Sequence, residues 1–302
     1  MEVGKHTIEI THAEKVLFPQ QGITKGDLID YYQRIAQVML PYLERRPVSL
    51  QRFPNGINES GFYQKEAPDY FPDWIDQVEI DLIEEHQKQP QVVINNTATL
   101  VYLANQAMIT PHTWLSRVDK LDDPDQLIFD LDPVDGDFGV VREAARDLEQ
   151  TLEEVGLAPF LKTTGSRGLH VLVPLDRSAD FDQVRDFARD LVELLARRFP
   201  DRMTTEVRKE KRQGRLFLDY LRNAYAQTAV APYAVRALPG APVATPLDWD
   251  ELGDTQLDSR RFTMQNIFRR LGQKDDPWKG MMSEARGIKE PRQRLQKLLS
   301  EE

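Results

Sequence analysis

Seven residues, Leu127-Ile128-Phe129-Asp130-Leu131-Asp132-Pro133, constrain this chain more than any others. The run is apolar, yet it carries two carboxylates. Successive strand side chains point to opposite faces, so Leu127, Phe129 and Leu131 share one face and Ile128, Asp130 and Asp132 the other. Two carboxylates on one face of a stiff strand repel each other unless a cation lies between them. A divalent metal with hard oxygen ligands meets that need, and such a pair serves two-metal phosphoryl and nucleotidyl transfer. The pattern is short, and an Asp also caps helices or starts turns, with Pro133 marking the strand's end. The surrounding sequence has to decide.

The chain has 302 residues, enough for one large or two modest domains with a real core. It contains no cysteine, which excludes disulfides, thiolate zinc sites and a cysteine nucleophile. No apolar run approaches a membrane span and the N-terminus lacks a signal-peptide core, so no membrane contact and a cytoplasmic place are expected. The net charge of −10 argues, as a sum, against a nucleic-acid partner. Its distribution leaves the question open. Eight aspartates fall between Asp119 and Asp137, while Arg208, Lys209, Lys211, Arg212 and Arg215 form one basic group and Arg260, Arg261, Arg269 and Arg270 another. Such clusters are most often solvated surface, but an acidic protein can still grip phosphates locally.

No repeat, low-complexity tract or Gly/Ser linker divides the chain. Thr24 predicts an N-cap for a helix to about residue 43, with Leu28, Tyr32, Ile35 and Met39 on one stripe. Alternation at Val78, Ile80 and Leu82 predicts a strand, and residues 91–94 resemble another. A helix is expected over 97–108 and an extended piece over 110–115. After the aspartate run, the pattern predicts a helix over 140–155 ended by Gly156, strands at 160–163 and 169–173, a helix over 182–199 and a strand over 215–220. From residue 260 the tail reads as helical, broken near Asp276-Pro277. Helices and strands mix without strict alternation, which indicates α+β. One domain over 1–302 is expected, with a subdivision near 115–125.

Four features accompany the aspartate pair. The turn Lys162-Thr163-Thr164-Gly165-Ser166-Arg167-Gly168-Leu169-His170 offers glycine-exposed amides, hydroxyls and cations, which suit a polyphosphate. It is not a P-loop, and an ordinary polar hairpin has the same composition. Asp219 is a lone acid in the apolar strand Leu216-Phe217-Leu218-Asp219-Tyr220 and needs a partner, either an arginine such as Arg222 or a shared metal. His112 sits shortly before the aspartate run, and Lys15 and Lys25 flank a Phe-Pro loop.

Taken together, "EKVLFP", "TKGDLIDYY", "RRPVSLQRFPNG", "HTWLSR", "IFDLDP", "KTTGSRGLHVLVPL" and "LFLDYLRNAYAQTAVAPYAVRALPGAPVATPL" resemble the polymerase domain of bacterial and archaeal DNA ligase D, a branch of the archaeo-eukaryotic primase superfamily. The likeness runs from about residue 11 to about 285. It implies a primase-polymerase fold of mixed and antiparallel sheets flanked by helices around a catalytic cleft. It further implies that Asp130, Asp132 and Asp219 ligate two catalytic ions, typically Mn²⁺ or else Mg²⁺, during attack of a primer 3′-hydroxyl on an NTP or dNTP. Thr164, Arg167 and His170 match positions holding the nucleotide's phosphates and sugar, Arg236 an arginine near the triphosphate, and His112 a histidine close to the site. Lys15 and Lys25 match lysines that grip a 5′-phosphate across a gap or break. Phe62 and Tyr63 match an aromatic pair stacking on template bases, with Arg52 beside them. The implied work is gap filling and end extension in non-homologous end joining, with ribonucleotides preferred, in a cytoplasmic, nucleoid-associated setting with the Ku end-binding protein and a DNA ligase acting in trans.

Two positions depart from the pattern: Thr164 stands where Ser is frequent, and Gln51 where Lys is frequent. No K-x-D-G adenylation motif occurs, so the chain is either an excised domain or a polymerase working beside a separate ligase. Two other readings stand against nucleotidyl transfer: a phosphohydrolase or glycosyltransferase built on the D-x-D, and a weakly catalytic module bridging 5′-phosphorylated DNA ends.

Overall fold

The structure, a computed structural model, describes residues 1–82, 87–133 and 136–301. It combines α-helices with mixed and antiparallel sheets and divides into two compact units. The first comprises Met1–Asp119, Thr228–Ala244 and Phe262–Gln273; the second comprises Lys120–Gln227, Thr245–Arg261 and Lys274–Glu302.

In the first unit the helix Lys25–Leu43 begins with a capping box: Asp27 N donates to Thr24 Oγ1 at 3.2 Å, and Thr24 N donates to Asp27 Oδ2 at 2.8 Å. Its apolar stripe, including Leu28, Tyr32, Ile35 and Met39, is fully buried. Asn96 caps the helix Thr97–Asn105, its Oδ1 accepting from Thr99 N at 2.9 Å. The sheet of this unit runs in the order Thr228–Val230, Met108–Trp114, Pro47–Arg52, Gln87–Val93, Gln77–Leu82, with Phe62–Gln64 also paired to Pro47–Arg52. Tyrosine hydroxyls fasten the returning 228–244 segment: Tyr31 donates to Tyr233 O at 2.7 Å, and Tyr32 OH accepts from Val235 N at 3.2 Å.

In the second unit the aspartate strand, Gln126–Asp132, lies inside a six-stranded sheet ordered Met203–Thr204, Leu216–Asp219, Gln126–Asp132, Leu169–Pro174, Phe160–Thr163, Pro246–Leu247. Only the Met203–Thr204 pairing is parallel. Leu127, Ile128, Phe129 and Leu131 are completely buried, so only the carboxylate end of the strand leaves the core. The helices Phe138–Glu154 and Phe181–Arg198 bury Val141, Ala145, Leu148, Val184, Phe187 and Leu191. Each of the larger of these, Val, Leu or Phe, stabilises by about 1.5–3 kcal/mol relative to exposure.

The tail is helical in part, with the expected break near Asp276-Pro277 in place. Beyond residue 260 the α-helices are Ile267–Leu271 and Lys289–Glu301, with turns between. Asp276 accepts from the backbone amide of Trp278, two residues on, and this local side-chain turn together with Pro277 makes the break.

Candidate active site

Strand register sets the site. Asp130 is paired with Asp219 on one neighbouring strand and with His170 on the other, and His170 is paired in turn with Lys162. Directly opposed residues of antiparallel strands share a face. Asp219, Asp130, His170 and Lys162 therefore form one row across four strands, and Asp132 stands one step along the central strand. Asn223 locks that strand: its Nδ2 donates to Ile128 O at 2.7 Å and its Oδ1 accepts from Ile128 N at 2.8 Å.

The charges in this row are strongly coupled. Burial favours the neutral acid at Asp130, but His170, Arg222 and Lys162 outweigh it and hold the carboxyl below the ordinary range. At His170 burial dominates, Lys162 adds to it, and the pKa falls to about 4 in spite of Asp130. A histidine titrating there is neutral at pH 7, so Arg222 and Lys162 supply the lasting positive charge. Asp132 is pushed up by burial and by Asp130, against Arg167; Asp219 is pushed up by burial, against the Leu221 amide.

Arginines draw the carboxylates outward. Arg222 Nε lies 3.3 Å from Asp130 Oδ2, and Arg167 Nη2 lies 2.6 Å from Asp132 Oδ2. Arg222 thus pairs with Asp130, where the sequence had suggested Asp219. Asp219 Oδ1 accepts from Leu221 N at 2.8 Å. A cleft of about 260 Å³ is lined by the three acids together with Arg167, Lys209, Arg212 and Arg222. Lys209 and Arg212 belong to the basic group whose role the sequence leaves open. Arg212 is held by the carbonyls of Glu206 and Val207, with its guanidinium 4.3 Å from the Phe217 ring centroid.

Among the described residues no three carboxylate or imidazole groups stand close enough to hold one metal ion as placed. The donor chemistry nevertheless fits a hard divalent cation. Asp130 Oδ1 is buried without a hydrogen-bond partner, His170 Nε2 being 3.4 Å away and off line. Two further carboxylates beside it resist ionisation where they stand.

The Thr164–Gly168 loop is more tightly built than a polar hairpin. Thr164 Oγ1 accepts from the amides of Ser166 and Gly168, both at 3.2 Å, and donates to Gly168 O at 3.1 Å. The Thr164 hydroxyl is therefore committed to its own loop. Gly168 lies so close to the aspartate strand that a Cβ there would overlap the Leu131 carbonyl oxygen and sit 2.7 Å from Asp132 Oδ1.

The remaining sequence-predicted residues lie in the first unit. Lys15 Nζ donates to Asn55 Oδ1 at 2.9 Å on the surface. Lys25 is buried at the first turn of its helix, with Nζ 3.2 Å from both Thr11 Oγ1 and Asn105 O. Burial, and then the Lys15 charge, lowers its pKa, so the two ammonium groups face one region. Phe62 and Tyr63 are 46% and 56% exposed, opposite Arg52 and Gln51 in register. The Arg52 guanidinium lies 5.5 Å from the Phe62 centroid and donates to Tyr70 OH at 3.2 Å. Tyr70, 61% exposed, extends this aromatic surface and had no signal of its own in the sequence. His112 packs edge-on against Tyr63 at 5.5 Å. Arg236 N donates to Pro242 O at 2.7 Å in the returning 228–244 segment.

With this geometry in place, comparison with known proteins defines the class. Residues 24–278 match the family "LigD, primase-polymerase domain". The chain is 35% identical over 274 residues to the Multifunctional non-homologous end joining protein LigD of Pseudomonas aeruginosa, covering 90% of this chain and 32% of that protein. It is 31% identical over 273 residues to the Bifunctional non-homologous end joining protein LigD of Bacillus subtilis, covering 90% and 43%. A solved structure, "Polymerase Domain from Mycobacterium tuberculosis Ligase D in complex with DNA", superposes with a TM-score of 0.84 at 28% identity, covering 92% of this chain and 99% of that one. The chain belongs to the LigD primase-polymerase domain family. It spans about a third of the length of the Pseudomonas relative and under half of the Bacillus one.

Proposed function

We propose that this chain is a DNA-directed nucleotidyltransferase that fills short gaps and extends ends in non-homologous end joining. The observation that carries the reading is the row Asp219–Asp130–His170 with Asp132 beside it, at the mouth of a cleft that gathers four cationic side chains. Three acids facing four cations suit a substrate that is itself a polyanion accompanied by metal ions.

In this reading Asp130, Asp132 and Asp219 hold two divalent ions, Mn²⁺ or Mg²⁺. Such ions lower the pKa of an attacking 3′-hydroxyl and neutralise a triphosphate. Arg167, Lys209, Arg212 and Arg222 neutralise phosphate oxygens, and Arg167 and Arg222 exchange their carboxylate partners for them. His170, kept neutral by burial, offers a polar nitrogen to the nucleotide without adding charge. Thr164 shapes the sugar pocket through its loop rather than by donating its hydroxyl. Any preference for ribonucleotides then rests on the pocket that this loop forms.

In the first unit, Lys15 and Lys25 hold a 5′-phosphate, Phe62, Tyr63 and Arg52 stack on template bases, and His112 and Arg236 contribute to nucleotide binding. The partners are broken or gapped DNA ends, with Ku and a ligase activity in a cytoplasmic, nucleoid-associated setting. The DNA-bound relative of the same fold supports the DNA partner, and no helix among the described residues is long and apolar enough to cross a membrane.

The test is single-nucleotide incorporation into a short gap bearing a 5′-phosphate, with ribonucleotides and deoxynucleotides compared in Mn²⁺ and Mg²⁺. Incorporation is expected, stronger with ribonucleotides. Tight gap binding without incorporation under any condition would favour a bridging module instead.

A further inference from the structure

Ser166 carries its carbonyl on the outer side of the Thr164–Gly168 loop, and two residues more than ninety positions away converge on it. Ser259 Oγ donates to Ser166 O at 2.8 Å, and Arg260 Nε donates to the same oxygen at 2.7 Å. Both lone pairs of one carbonyl are thereby used. The donors are themselves fixed: Leu257 and Ser259 are buried, and Arg260 N donates to Asp258 Oδ1 at 2.7 Å.

A peptide plane transmits this grip. In a trans peptide the carbonyl oxygen and the following N–H point in opposite directions, and the chain has no cis bond among the described residues. Pinning Ser166 O therefore aims the Arg167 N–H away from the brace. That amide has no hydrogen-bond partner among the described residues. The same peptide sets the root of the Arg167 side chain, which reaches Asp132 at 2.6 Å and lines the cleft. From inside the loop Thr164 Oγ1 fixes the amides of Ser166 and Gly168; from outside Ser259 and Arg260 fix the carbonyl between them.

We propose that Ser259 and Arg260 are positioning residues for nucleotide binding, presetting the Ser166–Arg167 peptide so that the Arg167 amide meets a phosphate oxygen without reorganisation and the Arg167 side chain turns from Asp132 to phosphate on a fixed root. The inference rests on the nucleotidyltransferase reading of this cleft. Preorganised donors strengthen binding by removing an ordering cost rather than by adding a contact. The brace acts through the loop and touches none of the three acids, so it governs nucleotide affinity and leaves turnover and DNA-end binding alone.

Ser259→Ala, Arg260→Ala and the double variant test this, with Arg260→Lys as the conservative control. The readouts are the KM for ATP opposite a template T, kcat, ATP binding by calorimetry in Mn²⁺, affinity for a 5′-phosphorylated gap, and thermal midpoint. Each single variant is expected to raise KM about two- to threefold, since one donor still holds the carbonyl. The double variant is expected to raise it more than the product of the singles, because the two donors share one acceptor. Turnover, gap affinity and midpoint stay near wild type, and Arg260→Lys recovers part of the loss. Ser259→Ala changes no charge, so its shift reports the brace rather than lost attraction for phosphate. An unchanged KM in the double variant would overturn the proposal. So would a KM that rises only in step with falling gap affinity and midpoint, the mark of a merely structural contact. If the wild-type chain itself binds no ATP, the nucleotidyltransferase reading falls and this inference falls with it.

Discussion

Replacing Asn223 should damage both fold and site, by an amount the structure allows to be worked out. Its completely buried side chain makes three hydrogen bonds to backbone: from Ile128 N at 2.8 Å, to Ile128 O at 2.7 Å and to Tyr220 O at 2.8 Å. In Asn223→Ala the two polar groups of Ile128 lose these partners, each at about 1–3 kcal/mol for a buried unsatisfied group. A loss of roughly 3–5 kcal/mol follows, which lowers the thermal midpoint by about 5–8 °C in a protein of this size. Asn223→Asp keeps the acceptor for Ile128 N but sets a second oxygen against two carbonyls. Its folded-state pKa is raised by that surrounding, so its penalty grows as pH rises through that pKa and is relieved at acid pH, where the protonated acid can donate again. Differential scanning calorimetry of both variants between pH 4 and 8 is the assay. A loss below about 1 kcal/mol in the alanine variant would refute the reasoning. An aspartate variant as stable as wild type at neutral pH would refute it too.

Gly168→Ala drives a methyl group into Leu131 O and against Asp132 Oδ1; about 1–3 kcal/mol of stability should be lost, together with most of any nucleotide incorporation, checked by melting and gap filling in parallel. Asp219→Asn should raise the thermal midpoint in metal-free buffer at neutral pH, because the native carboxyl, pushed up by burial, costs stability wherever it is ionised. That gain should vanish at acid pH, where native Asp219 is protonated, and a pH-independent difference would contradict the assignment. Lys15→Ala should weaken binding to a 5′-phosphorylated gap roughly tenfold, the value of one charge-assisted hydrogen bond, and leave an unphosphorylated gap unaffected in fluorescence anisotropy.

The sequence made the aspartate strand legible because period-two alternation and a terminal proline are local signals, and they placed Asp130 and Asp132 on one face before any fold was known. The helix beginning after Thr24 was legible for the same reason, since cap and stripe lie within one stretch of chain. What escaped is what depends on distant segments meeting. Asn223 acts on Ile128 from more than ninety residues away and carried no signal of its own, and Arg222, named in the sequence as a partner for Asp219, reaches across to Asp130 instead. For Lys209 and Arg212 the sequence left open whether they are solvated surface or grip phosphate, because only the fold brings them to line the cleft. The break near Asp276-Pro277 was legible from the local residues, and Asp276 does bond the Trp278 amide there, whereas the helix read from residue 260 begins only at Ile267. Thr164 was matched to a nucleotide contact by position, and its hydroxyl bonds within its own loop were not legible from that match.

The central claim is that the carboxylate row performs nucleotidyl transfer, and Asp130→Ala tests it most directly. Incorporation of one nucleotide into a 5′-phosphorylated gap would be measured in Mn²⁺ for wild type and variant, at protein concentrations saturating the DNA for each. The account predicts incorporation by the wild type and none by Asp130→Ala, with gap affinity retained. A variant that extends the primer at the wild-type rate would show that the row Asp219–Asp130–His170 is not where the chemistry happens.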